Sequence, residues 1–196
     1  MRLKLLLPLF LLLLQSAFGS SPSVGLQRLI DGNLRYVEDH PTHADHSADR
    51  RIDLVQSQTP FAVIVSCSDS RVTPEVIFDQ SAGDLFVVRV AGNVVGPIEL
   101  DSIDYAATVL GSSLILVLGH ESCGAVKAVI EKKAEGIEHV AELIEPAVKK
   151  ITNLEKAVKA NAKYVASQLK KKPLLKKLEC KAAYYSIATG KVEILP

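Results

Sequence analysis

The feature that most constrains this chain is the segment FAVIVSCSDSRV, which covers residues 61–72. Residues 61–65 are apolar and mostly β-branched, a pattern typical of a strand that is buried on both faces of a parallel sheet. Polar residues follow at once, with Cys67, Asp69 and Arg71 at alternate positions. Side chains two residues apart in an extended backbone project to the same side. Because functional residues of open α/β sheets collect at the carboxyl ends of strands, the segment predicts a site there.

Further apolar runs extend this pattern into a fold prediction. Residues 85–90 and 114–118 predict two more buried strands, and residues 178–187 and 191–195 flank an ATG turn that predicts a β-hairpin. Helical spacing of apolar residues predicts helices over 24–38, 74–78, 99–110, from 125 onward, and over 131–172 with a break at Pro146. We expect an α/β fold with a central, mainly parallel sheet of four to five strands flanked by helices.

The amino-terminal residues have the layout of a secretory signal peptide. Arg2 and Lys4 precede an apolar run over residues 5–14, and small residues follow around Ala17 and Gly19. The run is shorter than the ~20 residues of a membrane-spanning helix, so cleavage after residue 19 is expected, with an uncleaved anchor as the alternative. We expect one domain over residues 20–196 in an exported protein, periplasmic or secreted. The net charge of the full 196-residue chain, +1, gives no argument for nucleic acid as a partner.

A second reactive segment follows residues 114–118, where His120 and Cys123 form an H-x-x-C arrangement. Cys123 lies where a helix is predicted to begin, and a helix amino terminus favours the thiolate form. With Cys67, this gives two thiolates and one imidazole, a set that suits Zn²⁺ and leaves a position open for water, as in catalytic zinc sites. From spacing alone, a disulfide or two core thiols are alternatives for Cys67 and Cys123, and Cys180 is most simply a packed thiol.

Histidines and lysines elsewhere give weaker signals. His40, His43 and His46 lie three residues apart in a polar segment, which favours a mobile loop over a metal site or a proton relay. His139 is a further candidate for a proton shuttle. The lysine-rich residues 149–181 are interpreted as a solvated helix face, with attraction to an anionic surface as the alternative.

Three motifs make the chain resemble the β-class carbonic anhydrases. They are CSDSRV at residues 67–72, GDLFVVRVAGNVV at 83–95 and GHESCGAVKA at 119–128. The resemblance implies a zinc enzyme with one Zn²⁺ per chain, held by Cys67, His120 and Cys123. The implied reaction is the reversible hydration of CO₂ to bicarbonate, carried out by a homodimer or a larger assembly with sites at or near the interface.

The resemblance also implies roles for residues around the metal. Asp69 and Arg71 match the carboxylate and guanidinium dyad of the family, with a purely structural ion pair as the alternative. The substrate pocket of the plant-type branch comes partly from the facing subunit, and its positions are matched here by Gln58, Phe86, Tyr105 and Gly124. Gln58 as a simple polar residue and the two aromatics as core residues are the alternatives. Ala91 stands where that branch can carry a larger apolar residue.

A second branch of the family closes its site with the aspartate on zinc and has a regulatory bicarbonate site that uses a tryptophan. This sequence has no Trp, and Ile64 occupies the matching position. The open arrangement is therefore expected, with Arg71 keeping Asp69 ionised and off the metal. Two other functions stay open: hydrolysis of carbon disulfide or carbonyl sulfide at the same zinc site, and a non-catalytic zinc or redox module.

Overall fold

Five strands form one sheet in the computed structural model, which describes residues 23–42 and 44–196. The strands are β1 (Ala62–Ser66), β2 (Leu85–Arg89), β3 (Leu114–His120), β4 (Glu179–Tyr185) and β5 (Val192–Leu195). Their order is β2-β1-β3-β4-β5; the first four are parallel, and β5 pairs antiparallel with β4. The predicted mainly parallel α/β sheet with a carboxyl-terminal hairpin is confirmed. The predicted signal peptide and His43 lie outside the described residues.

The register of the parallel strands brings their carboxyl ends to one edge of the sheet. Ser66, the last residue of β1, pairs with Arg89 of β2 and with Leu118 of β3. β3 continues two residues beyond that pair and ends at His120. The segments that follow β1 and β3 therefore lie next to each other.

Seven α-helices lie among the described residues. They are α1 (Val24–Val37), α2 (Ala48–Asp53), α3 (Pro74–Ile77), α4 (Pro97–Thr108), α5 (Gly124–Ile130), α6 (Glu138–Val148) and α7 (Leu154–Lys170). A short 3₁₀ turn, Ala91–Asn93, follows β2. No helix in the described part of the chain is long and apolar enough to cross a membrane.

The helices cover both faces of the sheet with separate apolar cores. Side chains of α4, α5, α6 and α7 pack on the face that carries Val63 and Ile115, and α1 and α3 pack on the face that carries Ile64 and Leu116. Every residue of β1 and β3 is buried. This two-sided burial explains why these strands are continuous apolar runs in the sequence, without polar alternation.

The predicted break at Pro146 is wrong. Pro146 lies inside α6, which continues to Val148, and the break comes at residues 149–153. Proline removes one backbone donor and crowds the carbonyl one turn earlier, but its fixed φ is compatible with a helix. Because Ile144 and Val148 are buried in the core, packing holds the last helical turn in place.

The histidine-containing segment between α1 and α2 is tied to Asp79. The Asp79 carboxylate accepts hydrogen bonds from the Thr42 backbone N–H at 3.0 Å, the Thr42 hydroxyl at 2.8 Å and Arg35 Nε at 2.6 Å. Burial raises the pKa of Asp79, but the hydrogen bonds from Thr42 and Arg35 outweigh it and hold this pKa below its usual range. Among residues 23–42 and 44–196, neither His40 nor His46 belongs to a cluster of three metal-ligating side chains.

Candidate metal centre

Cys67, His120 and Cys123, here called the metal cluster, come together at the carboxyl edge of the sheet. Cys67 follows β1 directly, His120 is the last residue of β3, and Cys123 caps the amino terminus of α5. Their two sulfurs and one ring nitrogen lie within 4.8 Å of one another, and all three side chains are buried. Within the described residues, this is the one cluster of at least three such side chains that could hold a metal ion.

The hydrogen bonding of His120 leaves one ring nitrogen free for a metal. Nδ1 lies 2.8 Å from the backbone carbonyl oxygen of Glu121. Because a carbonyl oxygen only accepts, Nδ1 donates this bond, and in the neutral imidazole the lone pair is then on Nε2. Nε2 is buried and has no hydrogen-bond partner in the described part of the chain. A buried ring nitrogen close to two sulfurs, with its other nitrogen bonded to a backbone carbonyl, fits the requirements of a metal ligand.

The two thiols of the metal cluster lie close enough to change each other's pKa. The neighbouring Cys123 thiol lowers the pKa of Cys67 to about 4, against the effect of burial. The neighbouring Cys67 sulfur, together with burial, raises the pKa of Cys123 above its usual range. Both residues are free thiols, not a disulfide. A divalent cation would favour the thiolate form of both, and the donor set of two sulfurs and one nitrogen fits Zn²⁺.

Asp69 lies beside the metal cluster and is paired with Arg71. Arg71 Nε and Nη2 donate to the two carboxylate oxygens at 2.9 and 2.7 Å, and the Arg71 backbone N–H adds a bond at 3.0 Å. These bonds hold the pKa of Asp69 well below its usual range. Asp69 Oδ2 lies 3.9 Å from His120 Nε2. An ionised hydrogen-bond acceptor therefore stands next to the atoms that could hold a metal.

Arg89 fixes the segment that carries Cys67 and Asp69. Its Nε donates to the backbone carbonyl oxygen of Cys67 at 3.1 Å, and its Nη2 donates to that of Asp69 at 2.8 Å. A guanidinium inside an apolar strand pattern predicts that polar partners exist, but not which ones. In the structure, the partners are the backbone carbonyl oxygens just after the neighbouring strand, β1.

Glu121 fixes the other segment, a role that no motif in the sequence indicates. Its Oε2 accepts hydrogen bonds from the Ala188 backbone N–H at 3.0 Å and from Ser186 Oγ at 3.1 Å. The bond from Ala188 is the main reason that the pKa of Glu121 lies below its usual range. The segment after His120 is thereby tied to the turn between β4 and β5. The one indication in the sequence is the position of Glu121 between two predicted metal ligands, His120 and Cys123.

The predicted pocket residues, Gln58, Phe86, Tyr105 and Gly124, are not brought together within one chain. Gln58 is exposed and precedes β1, whereas Cys67 follows β1, so the strand separates them by roughly 17 Å. Phe86 is half-buried in the middle of β2, and Tyr105 is 47% exposed on α4. Gly124 is exposed at the start of α5 and is the one pocket residue that adjoins a residue of the metal cluster.

A buried Cys-His-Cys set at the carboxyl edge of a parallel sheet, with an ionised carboxylate at its side, defines a candidate zinc-dependent enzyme. Comparison with known proteins identifies the family. The family model for carbonic anhydrase matches residues 62–192, a range that includes the metal cluster, Asp69 and Arg71. The chain belongs to the carbonic anhydrase family.

Individual relatives and a solved structure agree with this assignment. A carbonic anhydrase of Mycolicibacterium smegmatis is 45% identical over 136 residues, which are 66% of this chain and 66% of the relative. Carbonic anhydrase 2 of Mycobacterium tuberculosis gives the same values. The match thus spans just under two thirds of the length of these curated relatives. The structure of the β-carbonic anhydrase CcaA matches with a TM-score of 0.67 at 27% identity, covering 87% of this chain and 94% of that one, which places the chain with the β class.

Proposed function

We propose that this protein catalyses the reversible hydration of CO₂ to bicarbonate and a proton, with one Zn²⁺ per chain held by Cys67, His120 and Cys123. The observation that carries the proposal is the position of the Arg-paired Asp69 carboxylate beside the buried metal cluster. Bound zinc would lower the pKa of a water molecule to ~7, which would supply a nucleophile at neutral pH. The carbonic anhydrases at 45% identity support this choice of reaction.

The Asp69–Arg71 pair supplies a hydrogen-bond acceptor that orients water, which the metal cluster lacks. Two thiolates formally cancel the charge of a divalent cation, so orientation of the attacking water matters more than at a site with three neutral histidines. The ionised Asp69 carboxylate accepts a hydrogen bond from this water and directs an oxygen lone pair toward the carbon of CO₂. Arg71 engages both carboxylate oxygens, which supports an open arrangement in which Asp69 stays off the metal.

Stopped-flow CO₂ hydration with a pH indicator, combined with metal analysis, tests the reaction. We expect about one zinc per chain and activity near neutral pH. Asp69→Asn should keep its zinc and lose activity about 10²-fold or more. Asp53→Asn changes an exposed carboxylate at the end of α2 and is the matched control that should keep full activity.

Three outcomes would count against the proposal. Zinc-free wild-type protein would contradict the metal site. Hydrolysis of carbon disulfide without hydration of CO₂ would contradict the reaction while leaving the metal site intact. Activity that begins only at clearly alkaline pH would refute the open arrangement alone.

We also propose a homodimer in which the second subunit completes the substrate pocket. β2 is an edge strand of the sheet, and α4 with its cap exposes an apolar stripe of Ile98, Tyr105 and Val109, which are 78%, 47% and 65% exposed. A groove of about 270 Å³ lies between β2 and the start of α4. An uncovered strand edge next to an apolar stripe is suited to docking a second copy. Phe86 lines this groove, in a position from which it can serve a facing site.

Sedimentation velocity together with the hydration assay tests the dimer. Ile98→Glu should convert the dimer to a monomer that keeps its zinc and loses most of its activity, because a buried charge opposes docking. Leu174→Glu places the same charge at another exposed apolar position, after α7, and should leave the dimer intact. A fully active wild-type monomer would contradict the proposal.

We further propose export to the periplasm or to the medium. The two cationic residues and the apolar run within residues 1–19 support this location. Cell fractionation and amino-terminal sequencing should yield a mature protein that begins at Ser20. Full-length protein confined to the cytoplasm would contradict the proposal.

A further inference from the structure

We propose that Asn161 is a positioning residue that holds the Gly92 N–H against the Cys67 sulfur and thereby sets the strength of the metal site. The inference rests on the metal site of the proposed function, but it does not depend on CO₂ as the substrate. Its starting point is a buried polar side chain that neither the metal cluster nor the Asp69–Arg71 pair uses.

Asn161 lies on the face of α7 that packs against the sheet. Its neighbours on this face, including Ala157, Val158 and Val165, are buried and apolar, and Asn161 itself is fully buried. Its Nδ2 donates to the Gly92 carbonyl oxygen at 2.8 Å, while its Oδ1 has no hydrogen-bond partner within the described residues. A half-satisfied amide weakens a core that an apolar side chain of similar size would fill. Its presence therefore points to a task other than stability.

Gly92 connects this amide to the metal cluster. It lies in the turn after β2 with φ of 70° and ψ of 17°, and its N–H donates to Cys67 Sγ at 3.3 Å. A Cβ at this position would lie 2.7 Å from Ile144 Cδ1, and the positive φ is one that L side chains rarely adopt, so both features favour glycine. Glycine tolerates many φ and ψ values, which would let the turn change shape. A hydrogen bond that holds the Gly92 carbonyl opposes such a change, and with it a movement of the N–H away from Cys67.

Close packing of α7 on β3 brings Asn161 within reach of Gly92. Gly119 directly precedes His120, and a Cβ on Gly119 would lie 2.8 Å from Val158 Cγ1 and 3.3 Å from the Val158 carbonyl oxygen. α7 therefore packs directly on the backbone that carries His120. Asn161, three residues after Val158, donates its hydrogen bond to Gly92 in the turn beside Cys67. One helix thus supports the segments of two predicted metal ligands.

A hydrogen bond from a backbone N–H holds a thiolate sulfur in its ligating position and stabilises its negative charge. Such contacts outside the ligand set affect metal affinity by roughly 10–100-fold. Loss of the Asn161 anchor should let the Gly92 N–H move away from Cys67. Metal retention and the spectrum of the metal–thiolate bonds should both change.

The experiment compares Asn161→Leu with Ser112→Ala. Ser112 is the control because it is also a buried polar side chain, and its Oγ donates to the Pro60 carbonyl oxygen at 2.8 Å, before β1 and so at the opposite edge of the sheet from the metal cluster. In Asn161→Leu, the zinc Kd from competition with a chromophoric chelator should rise roughly 10–100-fold. The thiolate-to-cobalt charge-transfer bands of the Co²⁺-substituted protein should also shift. Ser112→Ala should lower the free energy of unfolding without either change.

A measurement on the wild-type protein provides a second arm. In the ¹¹³Cd-substituted protein, the N–H···S bond should give a scalar coupling between cadmium and the Gly92 amide proton, and Asn161→Leu should abolish it. Absence of this coupling in the wild type overturns the inference, even if Asn161→Leu does not fold. An unchanged zinc Kd with an unchanged cobalt spectrum in Asn161→Leu also overturns it. Wild-type protein that binds no metal overturns this inference and the proposed function together, whereas metal binding without CO₂ hydration overturns only the proposed function.

Discussion

The metal cluster and the pocket residues differ in how the chain builds them. The metal cluster is assembled by the register of β1 and β3 and is buried within one chain. Phe86 lies on an edge strand, Tyr105 on the exposed side of α4 and Gln58 at the opposite end of β1, whereas Gly124 lies next to Cys123 at the start of α5; three of the four are exposed. A single chain therefore assembles the metal cluster, the inner part of the candidate site, and leaves the pocket residues, its outer part, apart from one another.

Each part is incomplete in its own way, and the difference indicates what completes it. The metal cluster contains a buried ring nitrogen without a hydrogen-bond partner among the described residues, and two free thiols beside it. The outer part presents apolar surface, with Ile98 78% exposed beside the edge strand. Buried polar atoms of this kind are suited to binding a cation, whereas exposed apolar surface is suited to contact with another protein surface. Metal binding should therefore require one chain and full activity two.

The largest expected effect is the loss of zinc and activity when Cys123 is replaced, whereas replacement of Cys180, also buried, should cause neither. Cys123→Ala removes a sulfur from the metal cluster and should abolish zinc binding, with a loss of CO₂ hydration on the order of 10³-fold or more. Cys180→Ala is the matched control, because Cys180 is buried on β4 and donates only to the Ala166 carbonyl oxygen at 3.5 Å. It should keep zinc and activity and lose about 1 kcal/mol of unfolding free energy. Metal analysis, stopped-flow assays and urea unfolding measure these effects; equal loss of zinc in both variants would contradict the assignment of ligands.

The metal cluster could be predicted from the sequence because its motifs are short and contiguous. CSDSRV and HESC are contiguous motifs that directly follow recognisable buried strands, and parallel strands bring their carboxyl ends together. The supporting contacts are different, because Asn161 and Gly92 are 69 residues apart and Glu121 is 67 residues from Ala188. In the sequence, Asn161 resembles any polar residue on a solvated helix. Only the packing of α7 shows that it is buried.

The resemblance predicts the pocket residues as a set, but it does not predict how they are arranged in one chain. The resemblance supplied Gln58 and Tyr105, whereas their separation in space depends on which end of β1 and which side of α4 they occupy. The wrong boundary at Pro146 has a related origin, since a local rule about proline competes with burial of Ile144 and Val148 around it. Predictions fail here where tertiary packing outweighs local preference.

A heterodimer experiment tests whether the outer part is shared between subunits. Gln58→Ala should keep zinc and lose activity roughly 10-fold, the value of one hydrogen bond. A heterodimer of a Gln58→Ala chain and a Cys123→Ala chain, purified with two different tags, then has one site with intact metal ligands and an intact Gln58 from the partner subunit. We expect about half of the wild-type activity per dimer, because one of two sites is restored. Activity no higher than that of the Gln58→Ala homodimer would show that Gln58 does not act across the interface.

Acid should affect the amino-terminal part of the chain separately from the metal cluster. The pKa of Asp79 is lower in the folded chain than its usual value of about 4, so its stabilising effect is present above that pH and is lost as the pH falls through the lower folded value. Asp79→Asn should therefore cost about 1–3 kcal/mol at pH 7, and this difference should shrink below pH 4. Urea unfolding at several pH values measures it, with Asp53→Asn as the control and zinc content at pH 7 unchanged. A difference that stays constant down to pH 3 would contradict the role of the Asp79 carboxylate.

The smallest expected effect concerns Gly124, where the two parts of the candidate site meet. A Cβ on Gly124 would have no other atom of its own chain within 4 Å, apart from its immediate neighbours. Gly124→Ala should therefore fold normally and keep zinc. Its free energy of unfolding should rise by up to about 1 kcal/mol, because alanine has the better helix propensity. If the partner subunit closes the pocket over this position, the added methyl group narrows the space for substrate. The catalytic efficiency should then fall a few-fold, by less than about 10-fold, through KM more than through kcat. Loss of zinc would show that the outer part bears directly on the metal cluster, whereas unchanged kinetics would remove Gly124 from the pocket.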